Sequence, residues 1–155
     1  MGPTFEITNF NGENVEVQEN ELQMKHGVYI EKCSKSFMKV HPKVKSVVLN
    51  KCEHMTLLVW NTVSGIELMN CQDVKVFVKG KSPSISIDKS MDIKICLNEG
   101  HLGTEVVSSK SSQLVVCSEN AEGKESKAYT IGEQVITKWD PNTKSFKTGI
   151  YDAFL

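Results

Sequence analysis

Two stretches of the chain repeat one pattern: VVLNKCEHMTLLV (residues 47–59) and IELMNCQDVKVFV (residues 66–78). When one is placed above the other, they are offset by nineteen residues, and Cys52 aligns with Cys71. Apolar residues align with apolar residues on both sides of the cysteine. Self-similarity at a fixed period of about 20 residues is the signature of a repeat architecture, in which one small structural unit is stacked on the next.

The repeat extends in both directions to about five copies, from residue 25 to residue 119. Four columns are apolar and one contains small residues. At a spacing of nineteen, the expected columns are Val28, Val47, Ile66, Ile85; Ile30, Leu49, Leu68, Ile87, Val106; Met38, Leu57, Val76, Ile95, Leu114; Val40, Val59, Val78, Leu97, Val116; and Cys33, Cys52, Cys71, Ser90, Ser109.

The apolar residues of each copy alternate with polar ones, which is the period of a β-strand whose every second side chain faces inward. They are mainly valine, isoleucine and leucine, which suit a pleated surface. One such repeat cannot bury its apolar face alone, whereas copies stacked about 4.8 Å apart enclose a continuous core. The sequence therefore predicts an all-β protein, a parallel β-helix of about six coils when an N-terminal capping coil is included.

The aligned cysteines are expected to occupy equivalent corners of successive coils, where a small apolar side chain fits a tight turn. A metal site is the alternative, but zinc ligands usually converge from CxxC-type spacings, and no histidine column accompanies these cysteines. We therefore expect no metal and no cofactor. The first 25 residues are polar and acidic and unlike a signal peptide, so we expect a cytoplasmic protein whose five cysteines are free thiols.

The charge composition argues against several function classes. The formal net charge is −1, and all 18 basic residues are lysines. Without arginine the chain lacks the usual bidentate grip on phosphate, and the exposed aromatic residues are not expected to interleave with the lysines, so nucleic acid is a disfavoured partner. No apolar run is long enough for a membrane span. No convergent acid–base set emerges, so we expect neither catalytic residues nor an enzyme.

One outward column is basic, and it contains Lys32, Lys51, Asn70 and Lys89, with Lys110 close to its next position. Lysines that repeat on one face of a stack form a basic stripe that could bind an acidic partner. An ordinary solvated face is the alternative, since lysines on strands also discourage aggregation.

The two ends of the chain depart from the repeat, and the whole chain is expected to form one domain. We divide residues 1–155 into a capping coil (1–24), the repeats (25–119), a linker (120–134) and a hairpin with its tail (135–155). The hairpin is expected to have strands at 135–139 and 144–150 around an Asp140–Thr143 turn. Because a lone hairpin is marginal in water, its apolar residues must either dock on their own stack or exchange with a second copy.

The sequence resembles the C-terminal β-helix domain of the adenylyl cyclase-associated proteins, which bind actin monomers. The resemblance rests on VYIEKC, VKSVVLNKC, DVKVFVKGKSPSISIDKS and TEVVSSKSSQLVV and covers residues 5–155. It implies a right-handed β-helix that dimerises by exchanging its C-terminal strands, in a short form that contains only this domain. The resemblance thereby implies a homodimer interface, for which the candidate residues are Val135, Ile136, Trp139, Phe146 and Ile150.

The resemblance also implies that the protein prefers ADP-bound actin monomers and promotes exchange of their nucleotide. Alternatives are sequestration of monomers without exchange, or regulation of a GTPase as in the related tubulin cofactors, which the lack of an arginine finger disfavours. The family's KSS motif, its KGK strand and its C-terminal tail, together with the basic stripe, supply the candidate residues. The expected actin-binding residues are Lys51, Lys79, Lys81, Asp88, Lys89, Lys110, Ser111, Ser112, Gln113, Tyr151, Phe154 and Leu155.

Overall fold

A computed structural model describes residues 3–132 and 135–150, and in these ranges the chain is built of strands and turns without a helix. The all-β prediction is therefore confirmed. No helix of the described part is long and apolar enough to cross a membrane.

Twelve of the strands form two parallel sheets that face each other across the core. Sheet 1 contains β1 (Thr4–Thr8), β3 (Gly27–Glu31), β5 (Val44–Asn50), β7 (Thr62–Met69), β9 (Ser84–Asp88) and β11 (Glu105–Ser109). Sheet 2 contains β2 (Asn14–Val17), β4 (Phe37–Val40), β6 (Glu53–Val59), β8 (Gln72–Val78), β10 (Met91–Asn98) and β12 (Ser112–Glu119). The chain alternates between the sheets, so each pair of consecutive strands makes one coil, and the six coils form the expected β-solenoid.

The nineteen-residue register holds through the middle coils. Val47 pairs with Ile66, which in turn pairs with Ile85. The inward side chains of both sheets make one continuous core, in which Leu49 and Leu57 are fully buried. The alternation seen in the sequence is thus the alternation between this core and the outer faces of the two sheets.

The last coil departs from the expected register by two residues. Val106 pairs with Ile85 rather than with Ile87, and Leu114 pairs with Ile93 rather than with Ile95. The fifth member of each column for which one was expected is therefore wrong, because the turn at residues 99–104 contains two extra residues. An even shift keeps the same side chains facing inward, so the sequence pattern could not reveal it.

The N-terminal segment is a complete coil with its own, longer period. Strands β1 and β2 pair in parallel with β3 and β4. Phe5 pairs with Val28 and Val17 with Val40, an offset of 23 residues in both cases. The longer turn explains why the nineteen-residue alignment misses this coil.

The C-terminal part contains a return strand and a hairpin. Residues of the expected linker fold back along the solenoid, where β13 (Tyr129–Thr130) pairs antiparallel with β12. The predicted hairpin is found within one residue of its expected bounds, as β14 (Val135–Asp140) and β15 (Ser145–Ile150). Among the described residues, these two strands form a separate sheet of their own.

Candidate functional site

Each coil turns from sheet 1 to sheet 2 through a short corner whose first residue has a left-handed main chain. This position forms one column along the solenoid, with φ angles close to +55°. Its members are Asn9 (φ 63), Lys32 (φ 54), Lys51 (φ 56), Asn70 (φ 54), Lys89 (φ 50) and Lys110 (φ 52). The left-handed conformation costs an ordinary residue roughly 1–2 kcal/mol, so the neighbouring coils must hold each corner in place. Main-chain bonds do so, for example from Lys51 N to Met69 O at 3.0 Å.

In five of the six corners the next residue is small and buried, as expected of the cysteine column, whereas at the first corner it is the exposed Phe10. The thiol of Cys52 donates to Ile30 O at 3.6 Å in the coil below. Where serine replaces cysteine, the hydroxyl also accepts a hydrogen bond from the coil below, as Ser111 Oγ does from Ser90 N at 3.0 Å. Burial of Cys33 and Cys52 disfavours the thiolate, and a hydrogen bond with Cys71 contributes most to the raised pKa of Cys52. The column therefore serves packing.

The two-residue register shift places Ser111 in this interior column, at the position that was expected for Ser109. Its side chain is 6% exposed and donates to Ser109 O at 2.9 Å. The expected surface contact by Ser111 is therefore not supported, since its hydroxyl is already satisfied inside the turn.

The outward side of the corners forms a shallow basic groove, which we call the lysine groove. It runs across four coils and encloses about 710 Å³. It is lined by Lys51, Cys52, Glu53, Asn70, Cys71, Gln72, Lys89, Ser90, Met91, Lys110 and Ser112. The three lysines are exposed and belong to the left-handed column, so their ammonium groups project from the turns into solvent.

The structure brings together only some of the expected actin-binding residues. Lys51, Lys89, Lys110 and Ser112 share the lysine groove. Asp88 precedes Lys89 and accepts a hydrogen bond from Ser109 Oγ at 2.9 Å.

Gln113, another of the expected residues, lies at the same corner but in a second left-handed column, two positions beyond the small residue. The members of this column are Lys35 (φ 51), His54 (φ 54), Asp73 (φ 53), Asp92 (φ 60) and Gln113 (φ 56).

Lys79 and Lys81 lie at the opposite corner, where the chain returns from sheet 2 to sheet 1. Lys79 N donates to Val59 O, and Lys81 O accepts from Thr62 N. The Lys79 ammonium also forms an ion pair with Glu119 at 2.5 Å, which neutralises its charge. These two lysines therefore lie outside the lysine groove, and their contact with actin stays a prediction.

Glu53, Gln72 and Met91 also line the lysine groove and were not expected from the sequence. Each immediately follows a small corner residue, and only the stacking of the coils brings them beside the lysines. Three expected tail residues, Tyr151, Phe154 and Leu155, lie outside the described part of the chain. Of Val135, Ile136 and Ile150 only the main chain is described.

The outer face of sheet 2 corrects one expectation, since aromatic rings and lysines do interleave there. Lys79 Nζ and Lys94 Nζ lie 5.6 and 5.8 Å from the centroid of the Phe77 ring. Lys39 Nζ lies 5.7 Å from the ring of Phe37. Lys39 and Lys79 follow their phenylalanines by two residues in sequence, whereas Lys94 reaches Phe77 from the neighbouring strand β10.

Comparison with known proteins agrees with the fold. The family model described as "Adenylate cyclase associated (CAP) C terminal" matches residues 1–153. The crystal structure of the cyclase-associated protein from Cryptosporidium parvum is similar, with a TM-score of 0.83 and 28% sequence identity. That match covers 96% of this chain and 90% of the other. No match is found among curated protein sequences.

Proposed function

Because the chain belongs to the family of C-terminal domains of the adenylyl cyclase-associated proteins, we propose that it binds an actin monomer through the lysine groove and promotes exchange of ADP on it. Membership of the family implies the binding of actin monomers, and the family is one of binding proteins rather than enzymes. The preference for ADP-actin, the exchange activity and the location of the contact are parts of the proposal.

One observation carries the choice of surface: Lys51, Lys89 and Lys110 repeat along the corner column. Coils are about 4.8 Å apart, so neighbouring lysines of this set are separated by one or two coil spacings. The rigid solenoid holds the positive charges at fixed intervals, which suits an acidic protein such as actin. Complementary charge of this kind raises encounter rates and fixes orientation more than it raises affinity.

Exchange follows from binding only if the two actin states differ in affinity. A protein that binds an open-cleft state of actin more tightly shifts actin toward that state and so speeds loss of the nucleotide. Rigid corners favour such selection, because a surface that does not adapt binds the complementary state best. No bond chemistry is required of the protein.

The test measures release of a fluorescent ADP analogue from actin monomers with and without the protein. Faster release supports the proposal. Binding with slowed or unchanged release would make the protein a monomer-sequestering factor and overturn the exchange part. The absence of binding would overturn the proposal entirely.

A homodimer is the second part of the proposal, and two exposed apolar features support it. On the hairpin, Trp139 and Phe146 pack edge to face at 5.1 Å and are 53% and 72% exposed. At the top of the solenoid, β11 is the edge of sheet 1, and Val106, although it lies in an inward column, is only partly buried. A hairpin from a second copy would cover such an edge. We expect this dimer in the cytoplasm.

A further inference from the structure

Two of the five cysteines lie outside the interior column. Cys96 and Cys117 are directly paired residues of β10 and β12. The same row contains Phe77 on the neighbouring strand β8. The Phe77 ring lies on the outer face of sheet 2, so both thiols also face outward rather than into the core. They are nevertheless only 1% and 4% exposed.

A turn after β12 covers the two thiols and holds Glu125 beside them. Asn120 closes the turn, with its N–H bonded to Lys124 O at 3.0 Å, and Gly123 supplies a φ of 80°. On the other side, Ser126 N donates to Ser118 O at 2.7 Å. Glu125 is thus fixed by main-chain bonds before and after it, and Cys117 Sγ lies 3.4 Å from Glu125 Oε1.

We propose that Cys96, Cys117 and Glu125 form a zinc-binding site. Their two sulfur atoms and a carboxylate oxygen all lie within 4.8 Å of one another. Zn–S distances of about 2.3 Å and Zn–O distances of about 2.1 Å in a tetrahedron require sulfur and oxygen about 3.6 Å apart, close to the 3.4 Å found here. Two thiolates and a carboxylate are ligands that zinc accepts, and a water molecule would supply the fourth ligand.

The charge around the cluster suits a divalent ion. Lys94 forms an ion pair with Glu125 and orients the carboxylate. Two thiolates and one carboxylate carry three negative charges, which one Zn²⁺ and the Lys94 ammonium balance. Burial raises the pKa of Cys96 to about 12, so the ion has to displace protons from the thiols when it binds.

The interior cysteines make a useful contrast. The thiols of Cys33, Cys52 and Cys71 lie in a row and donate to main-chain carbonyls, such as Leu49 O at 3.6 Å from Cys71 Sγ. Among the described residues, only the Cys96–Cys117–Glu125 cluster meets the convergence needed for a metal ion. This cluster is the proposed zinc site, rather than the interior column, because its three ligand atoms converge on one point.

The test is a titration of the metal-free full-length protein with Co²⁺, followed by displacement with Zn²⁺. We expect one Co²⁺ per chain, with a sulfur-to-cobalt charge-transfer band that disappears as Zn²⁺ is added. Glu125→Gln is expected to weaken binding at least 10- to 100-fold, the loss caused by removing even an outer-shell partner. Cys117→Ser is expected to abolish the band.

Glu122→Gln is the matched control, because Glu122 is exposed in the same turn and lies outside the cluster. This variant is expected to bind Co²⁺ as the parent protein does, and circular dichroism of each metal-free variant checks folding. The proposal is overturned if the parent protein takes up no metal. It is also overturned if folded Glu125→Gln and Cys117→Ser bind as tightly as the parent, or if thiol counting finds Cys96 and Cys117 joined as a disulfide.

Discussion

At the scale of single residues, the left-handed corner column contains the lysines of the proposed actin contact. Lysine has no special tolerance for φ near +55°, yet it occupies four of the six positions of this column. Asparagine tolerates the left-handed region better, and Asn70 already stands in the same column with a φ of 54°. Replacing a lysine of this column by asparagine therefore removes its charge while keeping the left-handed turn.

The triple variant Lys51→Asn, Lys89→Asn, Lys110→Asn tests the lysine groove at this scale. If each lysine forms one exposed charge pair with an acidic residue of actin, worth about 0.5 kcal/mol, the loss of three pairs predicts about tenfold weaker actin binding. The loss should be larger at low salt, where such pairs are less screened. Stability to urea should be unchanged or slightly higher. A fluorescence binding titration with actin monomers measures the effect.

The control replaces Lys25, Lys43 and Lys45, three exposed lysines away from the lysine groove, by asparagine. It makes the same change in net charge and should leave actin binding nearly unchanged. Equal losses in the two triple variants would show that overall charge, rather than the groove, attracts actin.

A second residue-scale prediction concerns the core. Ile87 is 1% exposed and pairs with Leu68 in the coil below. Ile87→Ala is expected to cost about 2–5 kcal/mol of unfolding free energy, because the coils above and below cannot close the cavity. Val63 is 49% exposed, so Val63→Thr should change stability by less than about 0.5 kcal/mol. Urea denaturation compares the two, and equal effects would contradict the buried column.

At the scale of the elements, an irregularity in strand β7 affects how closely the coils stack. Strand β7 is irregular against β5 between Val44 and Ser46, where Gly65 pairs with Ser46. Gly65 has a φ of 146°, and a Cβ atom there would lie 2.3 Å from Ser84 O in the next coil. Glycine is thus required by both the main-chain angle and the close approach of β9.

Gly65→Ala is therefore predicted to destabilise the solenoid by about 2–4 kcal/mol, from backbone strain together with steric displacement of β9. Thermal denaturation followed by circular dichroism measures the loss. Gly103→Ala is the control, because a Cβ atom at Gly103 meets nothing within 4 Å. A neutral Gly65→Ala would mean that the coil spacing relaxes at this irregularity of β7.

At the scale of the whole molecule, the proposed dimer depends on the hairpin and on the upper edge of sheet 1. Trp139 and Phe146 are paired across the hairpin, whereas Lys138 and Lys147 form the adjacent pair on its other face. An isolated hairpin is marginally stable, so these aromatic residues need a surface to cover. The one-sided distribution of aromatic and charged residues identifies the face that would be buried.

The double variant Trp139→Ser, Phe146→Ser is predicted to convert a dimer into a monomer, because it removes the aromatic face of the hairpin. Light scattering after size-exclusion chromatography gives the mass. Lys138→Ser, Lys147→Ser changes the opposite face and should remain dimeric. A monomeric parent protein, or a double aromatic variant that still dimerises, would contradict strand exchange.

Much of this architecture could be predicted from the sequence because of the nineteen-residue repeat. Alternating apolar residues and the spacing from Cys52 to Cys71 identify parallel strands and stacked corners, because local periodicity reflects which side chains must be buried. The hairpin bounds follow from local turn chemistry in the same way. The basic column is also readable, since Lys51 and Lys89 lie two repeats apart.

Long-range packing set the remaining features. The two extra residues at 99–104 move Ser111 into the core without altering the alternation of apolar and polar residues. The local pattern therefore does not reveal the change in strand register. Lys79 and Lys110 are separated because two different corners carry them, and Glu125 reaches Cys117 only because a turn folds back over sheet 2. Periodicity records whether a side chain is buried, whereas the partner of each side chain depends on how turns of unequal length bring distant strands together.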